Sequence, residues 1–338
     1  MTKKKNYTSD DIQVLSDHEH VRLRTQIYLG NTKKATYSVP LFIGDRVNIQ
    51  DIEFTPAVYK AVGEIVDNSI DEFNQTNLKA PLLKIEANPF LGTYLVSDNG
   101  RGVPIDKHAS GPYTPEVVFG QLRSGRNFSD EKEAGVIGQN GVGSACVNFC
   151  STEFTITVNR DGKKYRQTFS DGGTQKSKPS IRKAGNSTGT QIEFQLDNEV
   201  FEDTSLPAEL TENKAIELAL TNPGSTVEYN KKKYKFRKGF EDIVKKISSH
   251  YFKFEEDGLE FFVIFDLHEG IDEKMFTWVN SSLLFDGGIC NTQFLNAFYD
   301  KAIKHLAKEA KKNKCEVTKN DVRRNLFVIG NLRVSNPE

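Results

Sequence analysis

From Thr55 onward, Val58, Val62, Ile65, Ser69, Ile70 and Phe73 recur at three- and four-residue intervals. That is the period of an α-helix that turns one face to a core. Pro56 suits the first turn of such a helix. Glu64 and Asn68 are four apart and therefore share one helix face. A carboxylate and an amide oxygen so placed can handle a water and a Mg²⁺ together, the Glu orienting and deprotonating the water and the Asn oxygen serving as a hard ligand. Glu72 lies two turns beyond Glu64 and can support the same face. An acidic amphipathic helix with a solvated side would show the same pattern.

Two strands are predicted downstream, over 82–87 and 94–97, joined by the turn signal at Asn88, Pro89 and Gly92. The second runs into Asp98-Asn99-Gly100-Arg101-Gly102. A carboxylate at that strand end can accept the exocyclic amine of adenine, and small residues after it let a base approach the backbone. An ordinary tight turn is the bland alternative. Residues 107–140 are rich in Gly, Ser and charge and show little periodicity, a length that suggests a lid.

Gly138-Gln139-Asn140-Gly141-Val142-Gly143 then opens a short helix, predicted from about 141 to 149. Backbone N–H groups at such a helix start can hold phosphates. The spacing is not the dinucleotide fingerprint, and the Gly-Lys-Ser/Thr ending of a Walker loop is missing. Strands follow near 153–159 and 163–170, and Gly189-Thr190 opens another that runs to about 196, where a hydroxyl could reach a bound base through water. Helix, strand pair and helix recur to about 250.

After residue 238 the organisation restarts with a helix over 240–248, strands over 259–266 and 275–280, a Gly-Gly loop, a long helix from about 292 to 312 and a last strand over 326–334. A formal net charge of -1 argues against a dedicated nucleic-acid coat without excluding local contact with DNA. Lys301, Lys304, Lys308, Lys311 and Lys312 make the long helix basic, which suits a DNA cavity or a solvated face equally. The four cysteines, Cys146, Cys150, Cys290 and Cys315, form no CxxC pair, and a reduced interior is expected. With no apolar run of membrane-spanning length and no signal-peptide core, the expected location is the cytoplasm, with no membrane partner.

The ordered set of Glu and Asn on a helix, strand-end DxGxG, lid, glycine turn on a helix, and Gly-Thr on a strand resembles the ATP-binding fold shared by gyrase, the ninety-kilodalton heat-shock chaperone, histidine kinases and the MutL mismatch-repair proteins. Within that superfamily the chain is most similar to the type IIA DNA topoisomerases. "EIVDNSIDEF" (64–73), "SDNGRGVPID" (97–106), "GVIGQNGVGSACVNFCSTEF" (135–154) and "HVRLRTQIYLG" (20–30) each resemble a segment of that family. Gln139-Asn140 is nearer the eukaryotic and phage pattern than gyrase's. "FTWVNSSLLFDGG" (276–288) with the long helix after it resembles the family's transducer, which the chaperone and the kinases lack there.

The resemblance implies an α+β chain: a GHKL (Bergerat-type) α/β sandwich over 1–237, with an N-terminal arm and an ATP lid at about 107–140, then a partial ribosomal-S5-like transducer over 238–338. It implies ATP and Mg²⁺ as cofactors, a homodimer closing through the ATPase domains over a DNA segment, and cleavage/religation domains or a subunit as partner. Residue by residue it implies Glu64 as general base, Asn68 as Mg²⁺ ligand and Asp98 as adenine acceptor. Arg101 and Pro104 would wall the base, and Thr190 would hold a bridging water. Asn127 would reach in from the lid, and Gln139, Asn140, Gly141, Val142 and Gly143 would cradle the phosphates. Glu72, Gly102 and Ser144 complete the nucleotide-contacting set. Ala145 departs from the lysine that eukaryotic members place near the phosphates. The last residues resemble the strand leading to the family's Gln-Thr-Lys loop. A longer subunit is therefore expected, and reduced turnover without that lysine.

Overall fold

The computed structural model describes residues 12, 14–76, 78–88, 90–125, 141–265 and 273–335. Two short helices lead in, α1 (Asp17–Leu23) and α2 (Thr25–Leu29). The Ser16 backbone N–H donates to Glu19 Oε2 at 2.9 Å and closes the first turn. A hairpin follows, β1 (Ala35–Ile43) and β2 (Arg46–Phe54), paired in register from Ala35↔Phe54 to Ile43↔Arg46. Next comes α3 (Pro56–Asn74), with Pro56 in its first turn as the sequence predicts.

Then come β3 (Leu82–Asn88), β4 (Thr93–Asp98), α4 (Thr114–Gly120), α5 (Gly143–Phe149), β5 (Ser151–Arg160), β6 (Lys163–Ser170), β7 (Gln175–Lys176), β8 (Ser180–Lys183) and β9 (Gly189–Leu196). The first half closes with α6 (Ala208–Thr221), β10 (Thr226–Tyr229) and β11 (Lys232–Tyr234). These strands form one nine-stranded sheet in the order β11-β10-β3-β4-β9-β5-β6-β7, with β8 also paired to β6. Among the described residues only β10 and β3 run parallel within it. Leu83, Ile85, Tyr94, Val96, Phe154, Ile156, Ile192 and Phe194 alternate inward and are buried, and α3, α5 and α6 cover that face.

The remainder is α7 (Phe240–Ile247), β12 (Tyr251–Glu256), β13 (Leu259–Ile264), β14 (Lys274–Val279), β15 (Ser282–Leu283), α8 (Ile289–Lys312), α9 (Lys319–Arg323) and β16 (Phe327–Leu332). They build a five-stranded sheet, β12-β13-β16-β14-β15. One face packs on α8 through Phe261, Val263, Phe294, Phe298 and Tyr299. The other face, with Phe262, Ile264, Phe276 and Trp278, belongs to the same buried cluster as the first sheet. Trp278 is fully buried, with its ring 6.0 Å from Phe42 and 4.7 Å from Phe240. Phe285 lies 5.1 Å from both Tyr37 and Tyr59.

The structure departs from the sequence reading in several places. Strand β1 has no alternating signature because Val39, Leu41 and Phe42 sit in a run buried on both faces, whereas β2 alternates, with Val47, Ile52 and Phe54 buried beside exposed Arg46, Asp51 and Glu53, and was overlooked. Residues 107–140 are not uniformly irregular, since α4 lies within them and buries Pro115, Val117 and Phe119. Two turns of helix are too short to print a period. The strand β12 was also missed, for its residues are mostly exposed. The glycine-turn helix begins at Gly143, and α8 begins at Ile289 rather than near 292.

Candidate functional site

The site grows from α3. Its apolar stripe lies against β4 and β9, which turns Glu64 and Asn68 toward the first turn of α5. Asn68 Nδ2 donates to the Glu64 carbonyl at 2.8 Å and to Ser144 Oγ at 2.7 Å, which ties the two helices together. Both bonds use the amide nitrogen, leaving Oδ1 of this exposed residue as the oxygen available to a cation. Glu64 is one-fifth exposed and its Oε1 pairs with Lys60 Nζ at 2.6 Å, one turn earlier on the helix. A Cβ on Gly143 would meet that carboxylate, its Cδ only 2.7 Å away, so the approach of α5 to Glu64 requires a residue without a side chain.

At the other end, β4 delivers Asp98. Its Oδ1 accepts from the Gly100 N–H at 2.8 Å and the Thr190 N–H at 3.3 Å, and its Oδ2 accepts from Ser69 Oγ at 3.1 Å. Burial raises this carboxyl above its ordinary range, with a smaller contribution from the Glu72 charge, and the three donors work in the opposite direction. Thr190 reaches the site through its backbone, because β9 opens beside β4. Gly102 adopts φ +75°, and a Cβ there would lie 2.7 Å from the Asn159 carbonyl oxygen. Arg160 Nη1 donates to the Gly102 carbonyl at 2.7 Å and fixes the turn from the far side.

Glu72 and Arg101 meet each other. Arg101 donates from its backbone N–H at 2.9 Å and from Nε at 2.7 Å to Glu72 Oε1, and from Nη2 at 3.0 Å to Oε2. This fork joins the end of α3 to the turn after Asp98, so the geometry gives both residues a structural task at the edge of the site. Pro104 is exposed in the segment leaving that turn. Gly141 accepts from the Ser124 N–H at 3.1 Å, and Val142 precedes α5 as its N-cap. A cavity lined by Leu15, Asp17, His20, Tyr28, Leu122, Arg123 and Val142 adjoins that turn. Asn127, Gln139 and Asn140 lie outside the described residues.

Three residues were missed in sequence. Lys60 was findable from its four-residue spacing to Glu64. Ser69 was assigned only to the helix stripe, and Arg160 gave no signal, because each acts across the sheet. Ala145, Cys146 and Cys150 are buried in the core, as small residues facing the sheet should be.

The arrangement is a two-layer sandwich holding a carboxylate and an amide at one end of a helix and a buried Asp at a strand end. Residues 55–200 match the family described as histidine kinase-, DNA gyrase B-, and HSP90-like ATPase. More particularly, the chain is similar over nearly its whole length to B subunits of type II topoisomerases. It is 29% identical to the B-subunit of DNA topoisomerase 4 from Staphylococcus epidermidis, covering 99% of this chain and 50% of that one. It is also 29% identical to the B-subunit of the type 2 topoisomerase from Aquifex aeolicus, covering 98% and 41%. The chain thus spans about half the length of the curated relatives it matches.

Two solved structures share the fold. The ATPase region of Saccharomyces cerevisiae topoisomerase II superposes with a TM-score of 0.81 at 22% identity, over 98% of this chain and 88% of that one. The ATPase and transducer domains of topoisomerase II from Balamuthia mandrillaris give 0.83 at 24% identity, over 98% and 87%. The α+β class, a GHKL sandwich followed by a transducer-type sheet, is as expected. Among the described residues no helix is long and apolar enough to cross a membrane.

Proposed function

We propose that the chain is the ATP-binding and ATP-hydrolysing clamp of a type IIA DNA topoisomerase, working in the cytoplasm. The observation that carries this reading is the facing of Glu64 and Asn68 on α3 with Gly143 and Ser144 on α5, while Asp98 closes the opposite end under Ser69 and Thr190. Asp98 accepts the exocyclic amine of adenine, and the Thr190 backbone beside it supports a bridging water. The Gly141–Ser144 turn receives the phosphates, joined by Gln139, Asn140 and Asn127.

Asn68 Oδ1 offers Mg²⁺ a hard oxygen, and the ion when bound neutralises phosphate charge. Glu64 takes the proton of the attacking water. Its ion pair with Lys60 keeps it aimed across the gap to α5. Residues 1–237 form the ATPase domain and 238–338 the transducer, a division that falls between β11 and α7. Two copies close through their ATPase domains over a DNA segment, because nucleotide binds the closed state better than the open one. The cleavage/religation domains or subunit of the same enzyme complete strand passage.

Replacing Glu64 with Gln tests the assignment. A non-hydrolysable ATP analogue should bind as before while ATP hydrolysis is lost; unchanged hydrolysis would reject Glu64 as the base. In sedimentation the analogue should raise the dimer fraction of the unmodified chain, and an unchanged mass would argue against the clamp.

A further inference from the structure

The first turn of α5 sets Gly143 against Glu64 and Ser144 against Asn68. Its seven residues make only about two turns, too few for a helix to hold its place without tertiary anchors. The far end is held by a residue of the lead-in segment. Arg22 on α1 donates from Nη1 to the Phe149 carbonyl at 3.1 Å and from Nη2 to Asp197 Oδ2 at 2.7 Å. Phe149 is the last residue of α5, and Asp197 follows the last residue of β9.

A carbonyl at a helix end has no partner within the helix, and the helix dipole favours a cation beside it. Asp197 is oriented to take the other half of the fork. Its Oδ1 accepts from the Glu199 N–H at 2.9 Å, and its own N–H donates to the Cys150 carbonyl at 3.0 Å. The Arg22 side chain lies on the turn after β6. A Cβ on Gly172, at φ +61°, would stand 3.1 Å from Nη1, 3.2 Å from Cδ and 3.0 Å from the Phe149 carbonyl oxygen, so this approach requires a residue without a side chain. The side chains of Arg22 and Asp197 are only 26% and 13% exposed, and salt screens such a pair less than a surface one.

The two elements joined here differ in what else restrains them. β9 is laddered to β4 from Thr93↔Gln195 to Ser97↔Gln191, and to β5 from Ser151↔Leu196 to Asn159↔Gly189. It is a fixed post, and it begins at the Thr190 N–H that Asp98 accepts. α5 has no ladder. It is restrained sideways by the burial of Ala145, Cys146 and Val147 and by the bond from Asn148 Nδ2 to the Phe119 carbonyl at 3.0 Å. We infer that Arg22 is a positioning residue for the proposed site: its guanidinium ties the far end of α5 to the end of β9 and so sets Gly143 and Ser144 against Glu64 and Asn68. A planar fork serves a carbonyl and a carboxylate at once, which the point charge of a lysine does less well.

The inference rests on Glu64 and Asn68 working as proposed, and two readouts keep the ideas apart. Hydrogen exchange on the unliganded full chain needs no nucleotide. R22M keeps the length of the side chain and removes its donors. The Cys146 and Cys150 amides, which donate to the Val142 and Cys146 carbonyls, should then exchange roughly tenfold faster while the β9 amides keep parental rates. In steady-state assays R22M should lower kcat by roughly tenfold or more, with KM and affinity for the non-hydrolysable analogue within about threefold. Affinity is spared because adenine is held from β4, outside the clamp. R22K, which can still pair with Asp197, should recover at least about threefold of both losses.

Parental exchange in α5 of R22M would overturn the clamp, and an equal acceleration in α5 and β9 would reduce Arg22 to a general stabiliser and overturn the inference. Faster exchange in α5 with parental kcat would overturn its role in the site. If E64Q hydrolyses ATP normally, the base assignment falls and takes the catalytic consequence with it, while hydrogen exchange still decides whether Arg22 holds α5. Should R22M fail to fold, D197N serves, because the amide keeps the shape of the carboxylate without its charge. Exchange in α5 should then rise and kcat fall by smaller amounts, and no movement in either would overturn the inference.

Discussion

Gly143→Ala isolates the geometry of the proposed site from the stability of the fold. Gly143 is the first residue of α5 and its φ is not positive, so alanine fits the backbone and brings a helix-propensity gain of at most about 1 kcal/mol. The added methyl, however, would sit 2.7 Å from Glu64 Cδ and 3.2 Å from Glu64 Cβ. The carboxylate is the free end of a flexible side chain, one-fifth exposed, and can swing away. The fold therefore survives while the base leaves its place opposite Ser144 and gives up the 2.6 Å pairing with Lys60.

A base displaced by about 1 Å costs on the order of 10²-fold in rate, and general-base catalysis as a whole is worth roughly 10²–10⁴-fold. The expected phenotype is a melting temperature within about 3 °C of the parent, given a change of less than about 1 kcal/mol in a chain of this size. With it comes a loss of roughly 10²-fold in kcat. A coupled phosphate-release assay and a thermal melt on the same preparation read both. G143A with parental turnover would refute the placement of Glu64 against α5. A collapse of the melt would refute the claim that the clash is absorbed by the side chain alone.

Trp278→Ala should destabilise the chain by about 3–5 kcal/mol in denaturant titration, since it empties a site fully enclosed with Phe42 and Phe240; a cost under about 1 kcal/mol would contradict the shared core. Asp67 and Glu217 have folded values near 7 against ordinary values of 3.8 and 4.5, so the folded state holds more of their protons than the unfolded state does. Their contribution is full below the ordinary carboxylate range and is lost as pH rises through about 7. Melting temperature should therefore fall across that window. The double substitution D67N/E217Q should flatten the fall, and an equal slope in both proteins would count against the buried titration.

The chain itself declares the long helix α3, because nineteen residues supply enough turns for its period to stand above chance. It also declares β3, β4, β5, β6 and β9, whose alternation follows from a sheet with one covered face. Glu64, Asn68 and Asp98 could be singled out for a local reason: each has a proposed role set by its distance along one element or by the turn that ends it. The joining of Asn68 to Ser144, of Asp98 to Ser69 and Thr190, and of Glu72 to Arg101 is not legible in that way. Those pairs are separated by tens of residues and meet only when α3 lies down between β4, β9 and α5.

Strand β1 escapes for a related reason, since a strand buried on both faces carries no alternating pattern. Lys214 is the extreme case. In sequence it is one lysine in a mixed helix, indistinguishable from a solvated one. Only the folded packing buries it, with its ammonium over the Tyr59 ring and beside Gly63 of α3, and its desolvation does not exist until that contact forms.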